Sequence, residues 1–190
     1  FLRRTRINKY LRTLEGIRRK YELVKINRAI TVALNGDGNS NPALNVDAAG
    51  TAWSFSDFDN LIAEGNDYDI TPTVFIADKA EMLNIVAMRY PQANLQLTPQ
   101  QVAMFEGRGY RTPNGDAIMF APSGSVLSGS RKLLGWVPQL GLERVIEEGS
   151  IIQEATRYIE DQTQAIVISE VESYAKPEKF GTWTLTRQAA

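Results

Sequence analysis

Over the first 35 positions apolar residues recur at Ile7, Leu11, Leu14, Ile17, Tyr21 and Val24, then at Ile26, Ile30, Ala33 and Leu34. Steps of three or four draw one apolar stripe along a helix of 3.6-residue period, so the spacing predicts a single amphipathic helix from Phe1 to about Asn35. No proline interrupts it. At 1.5 Å per residue such a helix is roughly 50 Å long, well beyond the three turns usual in a compact domain. Gly16, in mid-helix, costs about 1 kcal/mol against Ala, which predicts a bend or a close contact there. The run Asn35-Gly36-Asp37-Gly38-Asn39-Ser40-Asn41-Pro42 is dense in turn formers, with glycine where a helix C-cap calls for it.

Beyond that turn, Ser54 or Ser56 can cap a second helix running to about Glu64, with Phe55, Phe58, Leu61 and Ile62 on its apolar side and Gly65 closing it. Thr71-Pro72-Thr73-Val74-Phe75-Ile76-Ala77 is a β-branched and aromatic run of the kind that forms a buried strand. Asp78 then caps a third helix, with Glu81 at the capping-box position and Met82, Leu83, Val86 and Ala87 facing inward. A fourth short helix is predicted from Thr98-Pro99 to about Phe105. From Gly107 onward strands predominate: Asp116–Ala121 after the Pro113-Asn114-Gly115 turn, Ser125–Ser128, Leu133–Val137, Leu142–Ile146, a run from Gln164 to Tyr174, and Trp183–Thr186. Helix, strand and helix followed by a β-rich half give an α+β chain without internal repeats or low-complexity linkers.

Charge changes this picture. The first 35 residues hold ten basic side chains (Arg3, Arg4, Arg6, Lys9, Arg12, Arg18, Arg19, Lys20, Lys25, Arg28) and two acids, about +8. Of 21 basic and 22 acidic residues in all, the remaining 155 positions therefore keep 11 and 20, about -9. A basic helix and an acidic body can attract copies of one another, or the helix can face a polyanion. A solvated face on a long surface helix is the plain alternative.

Candidate chemistry is sparse. The 190 residues contain no cysteine and no histidine. Disulfides, thiolates, the commonest zinc ligands and histidine acid/base catalysis are thereby excluded. Asp37, Asn39 and Asn41 alternate as in an EF-hand loop, but that loop needs glycine at its sixth position and glutamate at its twelfth, where Pro42 and Ala48 stand. The acids Glu143, Glu147, Glu148, Glu154, Glu160 and Asp161 lie beside Arg144 and Arg157 in runs of strand-like or hairpin-like spacing, where charges stay wet, so they do not read as a catalytic pair. Ser123, Ser125 and Ser128 lack the spacing of a nucleophile elbow. These residues predict no enzyme and no cofactor. No apolar run approaches the twenty residues of a membrane span, so no membrane partner is expected.

Three stretches together resemble the major capsid proteins of tailed bacteriophages, the Hong Kong 97-like capsid family. The long basic helix ending in Asn35-Gly36-Asp37-Gly38-Asn39 is similar to their spine helix and its following turn. Thr71–Ala77 with its capped helix resembles their axial domain. The tail from Trp136 through Glu143-Arg144-Val145-Ile146-Glu147-Glu148-Gly149 and Gln153-Glu154 to Ile166-Val167-Ile168-Ser169-Glu170 and Ala175-Lys176-Pro177 resembles their peripheral-domain hairpin and returning strand. The resemblance implies a long spine helix with an α/β axial domain and a β-rich peripheral domain. On this chain it places the spine helix at 1–36, the axial domain at 43–135, the peripheral hairpin at 136–176 and the terminal strand at 177–190.

The implied role is structural: copies of the chain assemble into pentamers and hexamers of an icosahedral phage head around double-stranded DNA. The implied location is the virion, with assembly in the host cytoplasm. Rings arise when a heterologous contact closes on itself, which suits the opposed charges of helix and body. Assembly or DNA contacts are expected at Arg3, Arg4, Arg6, Arg12, Arg18, Arg19, Glu143, Arg144, Glu147, Glu148, Glu154 and Arg157. In particular, Arg12, Arg18 and Arg19 are expected to meet Glu147, Glu148 or Glu154 of a neighbour, and part of the helix to touch packaged DNA through phosphates without reading sequence. The family's N-terminal arm and extended loop, which precede the spine helix, have no counterpart in these residues. The expectation is therefore a fragment, a processed product or a partial chain, and no cross-link carries over. Two further readings stand beside this one: an encapsulin-type compartment shell of the same fold, and a nucleic-acid-binding module using the basic helix.

Overall fold

The computed structural model describes the backbone of residues 2–38, 40–89, 110–112, 117–149, 152–158 and 163–189, and side chains within these except at 2–11, 86–89, 110–111, 152–158 and 163–168. The fourth helix expected at Thr98–Phe105, the Pro113-Asn114-Gly115 turn and Asp116 lie outside the described residues.

Helix α1 spans Leu2–Asn35 without interruption. It stops because Gly36 takes φ +81°, and its N–H donates back to the Val32 carbonyl at 2.8 Å. A Cβ at Gly36 would lie 1.7 Å from the Ser40 carbonyl oxygen, so only glycine closes this turn. Of the bend or close contact expected at Gly16, the close contact is not found among the described residues, where a Cβ built there meets nothing within 4 Å.

Ten strands follow. Six of them, β1 (Leu44–Asp47), β2 (Val74–Ala77), β3 (Tyr110–Arg111), β4 (Ala117–Phe120), β5 (Lys132–Trp136) and β10 (Thr182–Thr186), form one mixed sheet in the order β1-β10-β5-β2-β4-β3. Strand side chains alternate between faces, and this alternation divides the core in two. Phe75, Ala77, Leu133, Trp183 and Leu185 point to one side, where helices α2 (Phe55–Asn66) and α3 (Lys79–Arg89) cover them with Phe58, Leu61, Met82 and Ile85. Ile76 and Leu134 point to the other, where the last turns of α1 bring Ile30 and Ala33, and the loop after β4 brings Ala121 and Leu127. Thr182, on that second face, donates its hydroxyl to the Ala33 carbonyl at 2.7 Å and ties α1 to the sheet. Each fully buried ring such as Phe58, Phe75 or Trp183 contributes about 1.5–3 kcal/mol by leaving water.

The remaining strands make two ribbons. Strand β6 (Glu143–Ile146) pairs antiparallel with β9 (Glu172–Ala175), and β7 (Ile152–Tyr158) pairs antiparallel with β8 (Thr163–Ser169). A single turn of 3-10 helix at Lys179–Gly181 leads into β10.

Several sequence expectations give way to tertiary context. Glu81, in the first turn of α3, has tertiary partners that its sequence position does not show: its carboxylate accepts from the Trp53 indole at 2.8 Å and pairs with Arg187 at 2.8 Å. In α2 it is Ser54 that caps, with its N–H donating to Asp57 Oδ2 at 2.8 Å. The helix runs through Gly65, which is small because a Cβ there would lie 2.6 Å from Thr71 Cγ2. Phe55 and Leu83, expected inward, are exposed, while Ile85 is buried. Ser125–Ser128 is not a strand but successive turns, with Ser125 N–H bonded to the Pro122 carbonyl and Ser128 N–H to that of Ser125, both at 3.0 Å. The run from Gln164 to Tyr174 is two strands, broken at Glu170 and Val171.

Candidate assembly interface

Tyr21 and Lys25 sit one turn apart on α1 and so share a face. On the β6–β9 ribbon, Arg144 lies opposite Tyr174 and Ile146 opposite Glu172, which puts Arg144, Glu172 and Tyr174 on one face as well. The two faces meet at Glu170, in the break before β9. Its carboxylate receives the Lys25 ammonium, the Tyr21 hydroxyl at 3.3 Å and Arg144 Nη2 at 2.8 Å. Glu172 takes Arg144 Nη2 at 2.7 Å and Nε at 3.0 Å, lies 3.4 Å from Lys25 Nζ, and accepts from the Tyr174 hydroxyl at 3.2 Å. Two nearly buried carboxylates are thus balanced by two cations, and the joint fixes the angle at which α1 leaves the body.

The electrostatics follow from these contacts. The hydrogen bond to Glu170 raises the Lys25 ammonium above its ordinary value, and the same bond lowers the Glu170 carboxyl. The bond to Glu172 raises Arg144. Burial raises the Tyr174 phenol, and the Glu172 charge adds to it. Beside the joint, a groove of about 530 Å³ opens between α1 and β9, walled by Val24, Asn27, Arg28, Thr31, Glu172 and Tyr174 among others. A second open groove, about 510 Å³, lies between β1 and α2 and carries Asp47, Glu64 and Asp67.

Upstream of the joint, α1 leaves the body. From Arg12 to Lys20 every side chain is exposed except the half-buried Leu14. Along the apolar stripe Ile17 is 53% and Val24 55% exposed, and among its described residues only Ile30 and Ala33, in the last turns, are buried. Arg12, Arg18 and Arg19 all project into solvent; Arg18 makes one contact, to Glu22 on its own helix at 3.0 Å. Arg3, Arg4 and Arg6 fall on α1, and Glu154 and Arg157 on β7, where side chains lie outside the described residues. Glu143, Glu147 and Glu148 are exposed on the ribbon and its turn. Arg144 is already committed to Glu170 and Glu172 of its own chain.

Sequence reasoning missed Tyr21, Lys25, Glu170 and Glu172 as a set. Their partners stand 145 or more positions apart between helix and ribbon, and no local pattern marks such a pairing. It also missed Lys176, just after β9. That side chain is 3% exposed and its amine has no hydrogen-bond partner. Burial, and after it the charge of Lys179, lowers this amine to about 8.

No family model and no curated protein matches the sequence. Solved structures do match. A phage-related protein from Bordetella bronchiseptica RB50 aligns over 93% of this chain and 64% of its own, with a TM-score of 0.59 and 13% identity. The holo-SrpI encapsulin complex from Synechococcus elongatus PCC 7942 aligns over 95% of this chain and 65% of its own, with a TM-score of 0.62 and 15% identity. The chain shares the fold of these two proteins. At such identity the likeness is one of fold alone, and the chain spans just under two thirds of the length of either protein. Among the described residues no helix is long and apolar enough to cross a membrane.

Proposed function

We propose that this chain is the subunit of a closed proteinaceous shell, built from pentamers and hexamers of itself as a phage major capsid protein is, with double-stranded DNA inside. The observation that carries the proposal is the bare stretch of α1 from Arg12 to Lys20. A helical segment of this length with Gly16 at its centre and Arg18, Arg19 and Lys20 side by side is marginal in water, because isolated helices draw most of their stability from a packed apolar face. Here that face, with Ile17 and Val24, is exposed. A neighbouring subunit supplies the missing partner, and the capsid-type fold supports an assembly in which every copy has one.

A second reading is favoured by one observation, the likeness to an encapsulin complex. In that case the shell encloses protein cargo. Light scattering and negative-stain microscopy of the full-length protein separate the outcomes. Closed particles or rings of five or six support a shell, and nucleic acid extracted from nuclease-treated particles favours the phage head over the compartment. A monomer at all concentrations and salt conditions rejects both, and leaves the basic helix to be tested as a nucleic-acid-binding module.

A further inference from the structure

Two stripes on this chain match each other in spacing and oppose each other in charge, yet do not meet within one copy. The first is on α1. Lys20, Val24 and Arg28 are four residues apart and so lie along one face, with the two cations about 12 Å apart along the axis. All three are exposed, Val24 at 55%. The second is on the ribbon. Glu143 and Val145 alternate onto one face of β6, and Glu147 continues it, since its N–H still bonds the Val171 carbonyl at 3.1 Å. The two carboxylates are spaced by about 13 Å of strand. They too are exposed, with Val145 at 50% and its neighbour Val171 at 57%.

We infer that the Glu143-Val145-Glu147 stripe of one copy docks on the Lys20-Val24-Arg28 stripe of a second copy. This deepens the shell reading and rests on it. Within one copy the ribbon holds the helix through Arg144, Glu170 and Glu172 on its other face, and Val24 and Arg28 open onto the groove beside that joint, so the Glu143-Val145-Glu147 face of the ribbon is turned away from the stripe. The contact joins two different surfaces, so it is heterologous and propagates from copy to copy, closing into a ring when the rotation allows. Cation meets carboxylate at each end, and the two valines cover one another in the middle. The matched spacing of the charges sets the register of the contact, because a slip along the helix leaves a carboxylate without its cation.

Charge reversal in the full-length protein tests this. Lys20→Glu with Arg28→Glu reverses one stripe, and Glu143→Lys with Glu147→Lys reverses the other. Each pair alone is expected to lower the particle yield at least about tenfold while leaving the melting temperature of the free subunit in place, because like charges then face each other across the contact. The four changes together restore assembly, because the stripes match again with signs exchanged. Normal assembly of either reversed pair overturns the inference, and so does failure of the fourfold variant to recover. If Lys20→Glu with Arg28→Glu yields intact particles that have lost only their nucleic acid, the helix stripe faces the contents and the inference is likewise overturned. A wild-type protein that forms no particles removes the shell reading and this contact together, whereas wild-type particles with indifferent variants remove the contact alone.

Discussion

Lys176 is buried, its amine has no hydrogen-bond partner among the described residues, and its pKa is displaced well below the ordinary value. A buried ammonium without a hydrogen-bond partner is destabilising, and its amine is held at about 8 against an ordinary 10.5. The sign is set by the depressed value. Below pH 8 the folded state bears the full cost of a charged, desolvated amine; as pH rises from about 8 to 10.5 the folded state loses that proton before the unfolded state does, and stability climbs. The shift corresponds to at most about 3 kcal/mol. Lys176→Met keeps length and removes the charge, so it is expected to stabilise the protein by about 1–3 kcal/mol near neutral pH. Thermal melts of both proteins at pH 7.5 and at pH 10 provide the check: the gain should shrink at the higher pH. A variant that melts no higher than the parent, with the same difference at both pH values, would show that Lys176 is not an uncompensated charge. Glu170 and Glu172 present the opposite case, nearly buried acids with every charge answered, and neither the acids nor Lys176 could be singled out from sequence.

At the scale of elements, what was legible depended on how local the cause is. Helix α1 was readable to within a residue because its period runs for 34 positions and Gly36 ends it by backbone geometry alone. Strands β2, β5, β6 and β10 were readable because β-branched and apolar runs there are bounded by proline and glycine. Strand β1 was not, since Leu44-Asn45-Val46-Asp47 is a strand by virtue of β10, about 140 residues later, to which it pairs in parallel. The break at Glu170 and Val171 was hidden by the apolar residues on either side, and it is this break that presents Glu170 to Lys25. Glycine 16 marks the same limit within α1. Among the described residues nothing outside the helix's own backbone lies within 4 Å of a Cβ there, so Gly16→Ala fits and lowers the intrinsic helix cost by about 1 kcal/mol. In the free subunit, amide exchange between Arg12 and Lys20 should then slow by roughly fivefold, because local opening of this unsupported stretch is what exchange reports. Exchange rates equal to those of the parent would mean that the helix end is held by something other than its own propensity.

At the scale of the whole molecule, a net charge of -1 conceals two poles, about +8 on residues 1–35 and about -9 on the rest. The long-range field of a free subunit is therefore that of a dipole, which orients an identical subunit more strongly than it attracts a distant polyanion. In the proposed shell, contacts between copies would combine exposed ion pairs, worth about 0–1 kcal/mol each, with exposed apolar side chains such as Ile17, Val24, Val145 and Val171 that salt does not screen. Steering and holding are thus separable. With a screening length near 10 Å at 0.1 M salt and near 3 Å at 1 M, the two poles lose sight of one another before contact, while the apolar burial that resists dissociation stays intact. The rate of assembly followed by light scattering should accordingly fall by about tenfold or more between roughly 0.05 M and 0.5 M salt, with particles formed at low salt keeping their mass after transfer to high salt. An assembly rate indifferent to salt would mean that the poles do not guide the encounter. Dissolution of finished particles on transfer would mean instead that ion pairs hold the shell, and the valines on helix and ribbon would then face solvent in the assembled state as well.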